Sequence, residues 1–369
     1  MKNNNIKNYF AGGNTPDGFF SFFNYLPYKS ENIYIIKGGP GTGKSTFMKK
    51  LCTAAVELSY KTELHWCSSD NDSVDGLVIP ELKTAFLDGT APHTVDPKFP
   101  GAVDQILNFG RFWEKKKLMN YSQKIIDLSN EISYHFNKSY EILAKTKKIS
   151  ELQRNYYKEI IDENKLLNYS KKAVEKIIPN KNNIKVTGEK RHLFSTAITP
   201  GGIVSFLEEI SNYYDKSYFI IGDKESGSSQ LLKSLGERAY KFGYNTTFLH
   251  STFDPTKVNG IIVEELKLTA VNASFPKKIK YNSKDNNIEL LNISQSFYEN
   301  KYNYYLDEIN SLQQIMNRNT EKAVKQLQKA KSTHDELEKY YVENMDFVKL
   351  NNFTDKIIEE ILIEKKYLR

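Results

Sequence analysis

The hydrophobic pattern of the chain follows one plan twice. A short lead-in is followed by an apolar run, a glycine-rich turn, a helix-spaced segment, further short apolar runs and a long polar tail. In the first pass Ile33-Tyr34-Ile35-Ile36 reads as a buried strand that ends where the glycines begin. A helix is predicted from Lys44, with Phe47, Met48 and Leu51 on one face, and further strands at Thr62–Cys67 and at Thr84–Leu87, ending on Asp88. Strand, helix and strand at this spacing predict an α/β fold, a parallel sheet with crossover helices.

The tails read differently. From Arg111 to Ile178, and from Lys277 to the end, there is neither Gly nor Pro, so both stretches are expected to be mostly long helix. Leu118, Tyr121, Ile125, Leu128 and Ile132 alternate spacings of three and four, a coiled-coil seam about two heptads long. The second tail has a less regular series through Leu312, Ile315, Ala323, Leu327 and Leu337. Each tail is expected to fold back on itself or pack on the other. Binding of a protein partner or self-association through these arms is the less favoured reading.

The repetition is literal. Shifted by the 184 residues that separate Gly38 from Gly222, residues 15–92 align with 199–276 without a gap and share 22 identities in 78 positions. Thr15-Pro16 matches Thr199-Pro200, Gly76 matches Gly260, and Glu81-Leu82-Lys83 matches Glu265-Leu266-Lys267. This is a duplication. It divides the chain into 1–184 and 185–369, with helical extensions over about 103–178 and about 286–369 and a polar junction near Pro179–Gly188 that holds Asn180, Asn182 and Asn183.

Composition narrows the setting. Two cysteines, Cys52 and Cys67, and no secretory leader pattern point to a reducing, cytoplasmic location. No apolar run approaches the roughly 18–20 residues of a membrane span. The net charge of +7 lies in the first half, with 26 basic against 20 acidic residues in 1–184 and 26 against 25 in 185–369. Only six of the 52 basic residues are Arg, so a solvated lysine-rich surface is preferred and nucleic acid is not predicted as a partner.

The chemistry sits in the first glycine turn. Gly38-Gly39-Pro40-Gly41-Thr42-Gly43-Lys44-Ser45, with Thr46 following, has the G-x-x-x-x-G-K-S spacing of a phosphate-binding loop in the strand-to-helix setting that this motif requires. Glycines let backbone amides face phosphate oxygens, and the helix adds its positive end. Lys44 is expected on the β- and γ-phosphates of ATP, and Ser45 in the shell of Mg²⁺. The second copy, Gly222-Asp223-Lys224-Glu225-Ser226-Gly227-Ser228-Ser229, has lost the lysine and carries two acids that repel a triphosphate.

That damaged copy helps to choose the partner carboxylate. Asp88 has become Asn272, Asp72 has become Thr256, Asp75 has become Asn259 and His93 has become Lys277, whereas Asp70 persists as Asp254. Groups lost together with Lys44 are the candidates: Asp88 for the metal, and Asp72 or Asp75 for orienting the attacking water. His93 is a weaker hint. Asp70 reads as a turn cap. Arg111 and Arg191 are the arginines considered for contact with a γ-phosphate, and surface or packing roles are preferred for both.

The segments Tyr9–Pro16, Gly38–Thr46, Cys67–Asp72, Asp88–His93 and Arg191–Phe194 resemble a family of uncharacterised bacterial tandem P-loop proteins described as ATPase-like or nucleotide-kinase-like. The resemblance spans nearly the whole chain. It implies two P-loop NTPase domains and ATP binding, with the second loop degenerate. Thr15-Pro16-Asp17-Gly18 is also similar to the lead-in of RecA/KaiC-type ATPases. The expected function is a Mg-dependent ATPase acting in the first half. A kinase passing the γ-phosphate to a nucleotide or small molecule is the alternative, and a non-catalytic nucleotide-binding scaffold the third. The absence of an arginine cluster favours the first over the second.

Overall fold

The apolar runs form two six-stranded sheets built to one pattern. The computed structural model describes residues 5–181, 186–223, 225–281 and 287–363. In the first half lie β1 (Ile6–Tyr9), the hairpin β2 (Gly12–Thr15) and β3 (Gly18–Ser21), β4 (Asn32–Lys37), α1 (Lys44–Glu57), β5 (Thr62–Trp66), β6 (Val74–Ile79), β7 (Thr84–Asp88) and β8 (Asp104–Asn108). Its tail is α2 (Lys115–Asn120), α3 (Ser122–Ile160) and α4 (Glu163–Ile177). The second half repeats this with β9 (Lys190–Phe194), β10 (Thr196–Thr199), β11 (Gly202–Ser205), α5 (Leu207–Ser211), β12 (Lys216–Ile221), α6 (Ser228–Lys241), β13 (Thr246–Ser251), β14 (Asp254–Val263), β15 (Leu268–Asn272) and β16 (Ile288–Asn292). Its tail is α7 (Glu299–Val342) and α8 (Phe347–Ile358). Asn182, Asn183, the junction between 184 and 185, and Lys224 lie outside the described residues.

The sheet orders are β1-β5-β6-β7-β4-β8 and β9-β13-β14-β15-β12-β16. Strands β4, β7 and β8 run parallel, but β6 and its counterpart β14 are antiparallel to both neighbours, so each sheet is mixed. The predicted helix face holds: Phe47, Met48 and Leu51 pack into one core with Ile36, Leu77 and Phe86. Each such side chain contributes about 1.5–3 kcal/mol by leaving water. The stretch after Lys277 departs from the helical expectation, because Ile288–Asn292 pairs in parallel with β12 before the helix begins. The equivalent strand of the first half pairs with β4.

The tails pack on each other and exchange places. Helices α3 and α7 run antiparallel: Gln153 Nε2 donates to the Ile309 carbonyl (3.2 Å), Ser139 Oγ to that of Ala323 (3.1 Å), and His135 lies 3.0 Å from Gln326. Beyond this crossing, α4 seats Ala173 and Ile177 against Leu231, Leu232 and Leu235 of the second half's α6. Reciprocally, α8 seats Leu350 and Ile357 in the first half's core beside Phe47 and Leu51. Each sequence half therefore completes the core of the other.

The contacts are reciprocal under the same 184-residue shift. Trp113 bridges Met345 while Ile161 bridges Phe297, and Phe10 pairs with its own counterpart Phe194. This is the self-complementary pattern of a two-fold dimer, written within one chain. Among the described residues, no helix is long and apolar enough to cross a membrane.

One buried ion pair ties the halves together. Arg191 of β9 donates to both oxygens of Glu63 on β5 (3.1 and 2.7 Å) and to the Tyr25 carbonyl (3.1 Å). Burial pushes the Glu63 carboxyl up, but the charge and hydrogen bonds of Arg191, aided by His65, outweigh it and hold the group well below the usual carboxylate range. Nearby, His250 donates from Nδ1 to the Pro255 carbonyl (2.6 Å) and accepts at Nε2 from His192 Nδ1 (2.7 Å), with Phe22 against both rings. Burial, then the His192 ring, lowers the His250 pKa to about 4.

Two outcomes follow from this interface. Arg191→Met leaves Glu63 buried without its partner and is expected to cost about 3–5 kcal/mol in urea unfolding, part of which Glu63→Gln in the same chain restores. The folded-state pKa of His250 is depressed, so its contribution is complete above the unfolded value of about 6.5 and is lost as pH falls toward 4. Unfolding at pH 7 and pH 4.5 should show an acid loss that His250→Asn reduces by an amount on the order of 2–3 kcal/mol.

Candidate functional site

The glycine turn between β4 and α1 bends through two left-handed positions, Gly41 (φ 66°) and Gly43 (φ 84°), which only glycine adopts without strain. Thr42 Oγ1 closes the turn on the Gly39 carbonyl (2.7 Å). Lys44 reaches back over the loop, donating to the carbonyls of Gly38 (2.9 Å) and Gly39 (2.8 Å), and stands 3.5 Å from Asp88 Oδ2 at the end of β7. The loop therefore brings Lys44 and Asp88 together. Ser45 Oγ accepts from the Val74 amide (3.0 Å), and Thr46 is exposed on the first turn of α1.

The amide of Gly41 already holds an anion. It donates to Glu338 Oε1 (3.1 Å), a residue of α7 that the tail exchange delivers from the other half. The Tyr341 ring lies over Gly39, Val342 lies against Gly41 and Leu350 of α8 lies against Gly43. A carboxylate at amides beside the N-terminus of α1 is the position that the helix dipole favours for negative charge. An entering phosphate fits that donor set only by displacing Glu338 and Tyr341.

The altered copy inverts the charges. Glu225, the counterpart of Gly41, accepts from Ser150 Oγ (2.8 Å), from Arg154 Nε (3.0 Å) and from Lys257 Nζ (2.6 Å). Arg154 is the counterpart of Glu338, so loop and tail have traded sign across the duplication. Asp223 accepts from the hydroxyl of Tyr157, the counterpart of Tyr341. The Lys44–Asp88 ion pair is replaced by a neutral bond from Asn272 Nδ2 to Ser228 Oγ (2.9 Å). Ser229 Oγ accepts from the Val258 amide (2.9 Å) as Ser45 does from Val74, so this hydroxyl has a structural task in both halves.

Asp75 and His93 join Asp88, all three buried. Burial raises the Asp75 carboxyl to about 6, with the charge of Asp88 adding to the effect and His93 opposing it. The Cys67 thiol is pushed well up by its own burial and then by Asp75. Asp72 takes no part in this group; it is exposed on the β5–β6 turn, where its carbonyl accepts from Lys49 Nζ. Asp70 caps that turn, accepting from the Asp72 amide (3.2 Å) and Ser73 Oγ (2.7 Å), as Asp254 does for Thr256. Arg111 is exposed beside the Phe112 ring and Arg191 is committed to Glu63.

The sequence offered Asp75 as an alternative to Asp72 for orienting water and His93 as a weaker hint, but did not single out Glu338. The shift itself carried the missing signal, since it aligns Glu338 with Arg154 and Gly41 with Glu225. A cavity of about 850 Å³ opens on the second half between α3, α7 and the altered loop, lined by Tyr157, Asp223, Ser274, Phe275 and Tyr302 among others, and none of its lining belongs to Gly38–Ser45.

Fold and site together define a mixed α/β protein of two duplicated, tail-exchanged halves. Comparison with protein-family models, with curated proteins and with solved structures found no match to this chain.

The fit of the tail on the loop can be tested with alanine. A Cβ at Gly41 meets Val342 Cγ2 at 2.9 Å and the Glu338 carbonyl at 3.1 Å, whereas one at Gly101 (φ 77°) meets nothing within 4 Å. Both substitutions bear left-handed strain of about 1 kcal/mol, and Gly41→Ala is expected to cost about 1–3 kcal/mol more in urea unfolding because α7 must shift.

Proposed function

We propose that the first half is a P-loop NTPase domain that binds ATP at Gly38–Thr46 and hydrolyses it, while the second half is a catalytically silent copy. The observation that carries this reading is the carboxylate of Glu338 on the Gly41 amide. The loop binds an anion from its own chain, beside Lys44, which is placed to neutralise a larger one. Lys44 would transfer its hydrogen bonds from the loop carbonyls to phosphate oxygens. Mg²⁺, bound with the nucleotide, would supply charge neutralisation on the phosphates, with Ser45 and Asp88 as its candidate protein contacts. Asp75, buried and of raised pKa, is better placed than the exposed Asp72 to take a proton from the attacking water.

The same contact supports a switch. Nucleotide and Glu338 compete for one amide, so ATP favours the state in which the last turns of α7 have left the loop, and phosphate release lets them return. Phosphotransfer is less well supported, because Arg191 is locked in the interface and Arg111 stacks on Phe112.

The test is nucleotide binding and turnover on the full chain. Glu338→Gln weakens the competing anion and should tighten ATP binding by about tenfold, in proportion to the fraction of molecules it opens. Lys44→Ala should remove turnover, and Asp88→Asn should lower it at least 100-fold. Failure of both the parent chain and Glu338→Gln to bind ATP at millimolar concentration would exclude the proposal.

A further inference from the structure

We propose that Asp75, Asp88 and His93 form a binding site for one divalent transition-metal ion of the Mn²⁺ or Zn²⁺ class, occupied without nucleotide. The three side chains each offer an atom, and these atoms lie within 4.8 Å of one another. Ligands that share one ion at about 2.0–2.2 Å stand roughly 3–3.5 Å apart, so the side chains would close by about 1–2 Å around an ion. The residues are 6%, 9% and 6% exposed, which places two carboxylates and an imidazole in a pocket almost closed to water.

The balance of charge points to a cation. Lys44 Nζ, 3.5 Å from Asp88, offsets one of the two carboxylates. Asp75 lies near the Cys67 thiol and faces His93 Nε2 at 3.8 Å, too far for a hydrogen bond. His93 is itself the second observation. Its buried Nδ1 has no hydrogen-bond partner among the described residues, while its ring is clamped flat against Phe23 (4.3 Å between centroids, 10° apart) with Nε2 aimed at Asp75. Stacking thus holds a buried imidazole with Nε2 facing Asp75 in the group that includes Asp88, which places one nitrogen and two carboxylates where they can converge on an ion.

The duplicated half serves as an internal control. There the three positions are Asn259, Asn272 and Lys277, an amide pair and a cation that cannot hold a divalent ion, and Asn259 Nδ2 is left buried without a partner among the described residues. The imidazole sets the class of ion: Mg²⁺ prefers an all-oxygen shell, whereas Mn²⁺ and Zn²⁺ accept a nitrogen.

The experiment is a Mn²⁺ titration of the full chain without nucleotide, read by electron paramagnetic resonance and by electron spin-echo envelope modulation. One tight Mn²⁺ per chain with coupling to a single nitrogen is expected. His93→Gln should remove the nitrogen coupling and weaken binding at least about tenfold, and Asp75→Asn should weaken it by a similar factor. Lys44→Ala, which the nucleotide proposal predicts to abolish ATP turnover, should keep the coupled signal. A chain that fails to bind ATP would thus leave the metal result standing. Absence of nitrogen coupling in the parent chain, or its persistence in His93→Gln, overturns the assignment, and both are read without relying on a variant that fails to fold.

Discussion

The contact on which the structure turns is the antiparallel crossing of α3 and α7, where Ser139 bonds the carbonyl of its own counterpart, Ala323. A residue that touches its duplicate lies on the axis relating the two halves, so the crossing point fixes where both tails go. From Ser139 to Arg154 there are 15 residues of helix, about 22 Å. That length carries each tail across the axis to the other half's glycine turn, bringing Arg154 to Glu225 and Glu338 to Gly41. The small residues at the crossing allow this. Ser139, Thr146, Ala323 and Ala330 let the backbones approach, and the hydroxyls return their hydrogen bonds to helix carbonyls, so no buried polar cost accrues.

The two loop contacts made possible by that crossing are not equally firm. In the second half the loop supplies the acid and the tail the cation, with Lys257 adding another, and Glu225 is 3% exposed in its side chain. In the first half the tail supplies the acid, which accepts from one backbone amide and lies 3.6 Å from the His334 ring of its own helix, and the Glu338 side chain is 32% exposed. A buried carboxylate with two cationic partners is held more firmly than a partly exposed one on a backbone amide, which water can replace at lower cost. After duplication the second loop is therefore tied to the tail through a buried charged cluster, and the first through a more exposed contact. The exchange of Lys44–Asp88 for Ser228–Asn272 belongs to the same change, since losing either charge alone would have stranded the other in a nearly closed site.

Much of this was legible along the chain, and the gaps have physical causes. The Ile33–Ile36 run, the glycine spacing and the face Phe47, Met48 and Leu51 predicted β4, the loop and α1, because a buried strand feeding an amphipathic helix leaves a strong pattern. β6 was missed although Val74–Ile79 is buried throughout, since a short apolar run does not announce an antiparallel direction. The helix seam was misjudged in place and length. The buried series Ser139, Leu143, Thr146, Ser150, Gln153, Tyr157 and Ile160 keeps heptad spacing, but most of its members are polar and hydrophobic periodicity cannot register them. Loss in the second copy flagged Asp88 first, then Asp72 or Asp75, with His93 a weaker hint, and only the fold separates the exposed Asp72 from the three that meet. Retention was the weaker guide, as Ser45 and Ser229 show by bonding equivalent strand amides.

The magnitudes also limit how far the tail moves if the proposed nucleotide enters. Detaching α8 and the turn after it would expose Leu350, Ile357, Ile361 and Leu362, a cost of about 6–12 kcal/mol at about 1.5–3 kcal/mol each. Releasing Glu338 gives up one charged hydrogen bond, about 1.5–3 kcal/mol. The segment between them is pinned at both sides, with Glu114 N donating to the Asn344 carbonyl (2.9 Å) and Asp346 N to that of Phe112 (2.7 Å). A ligand that gains a few kcal/mol from displacing Glu338 can therefore open the last turns of α7 but cannot unseat α8. On that proposal motion would be confined to the helix above the loop and would pass along α7 toward the crossing with α3, so the second half would sense the site through a bend in a helix whose far end stays docked.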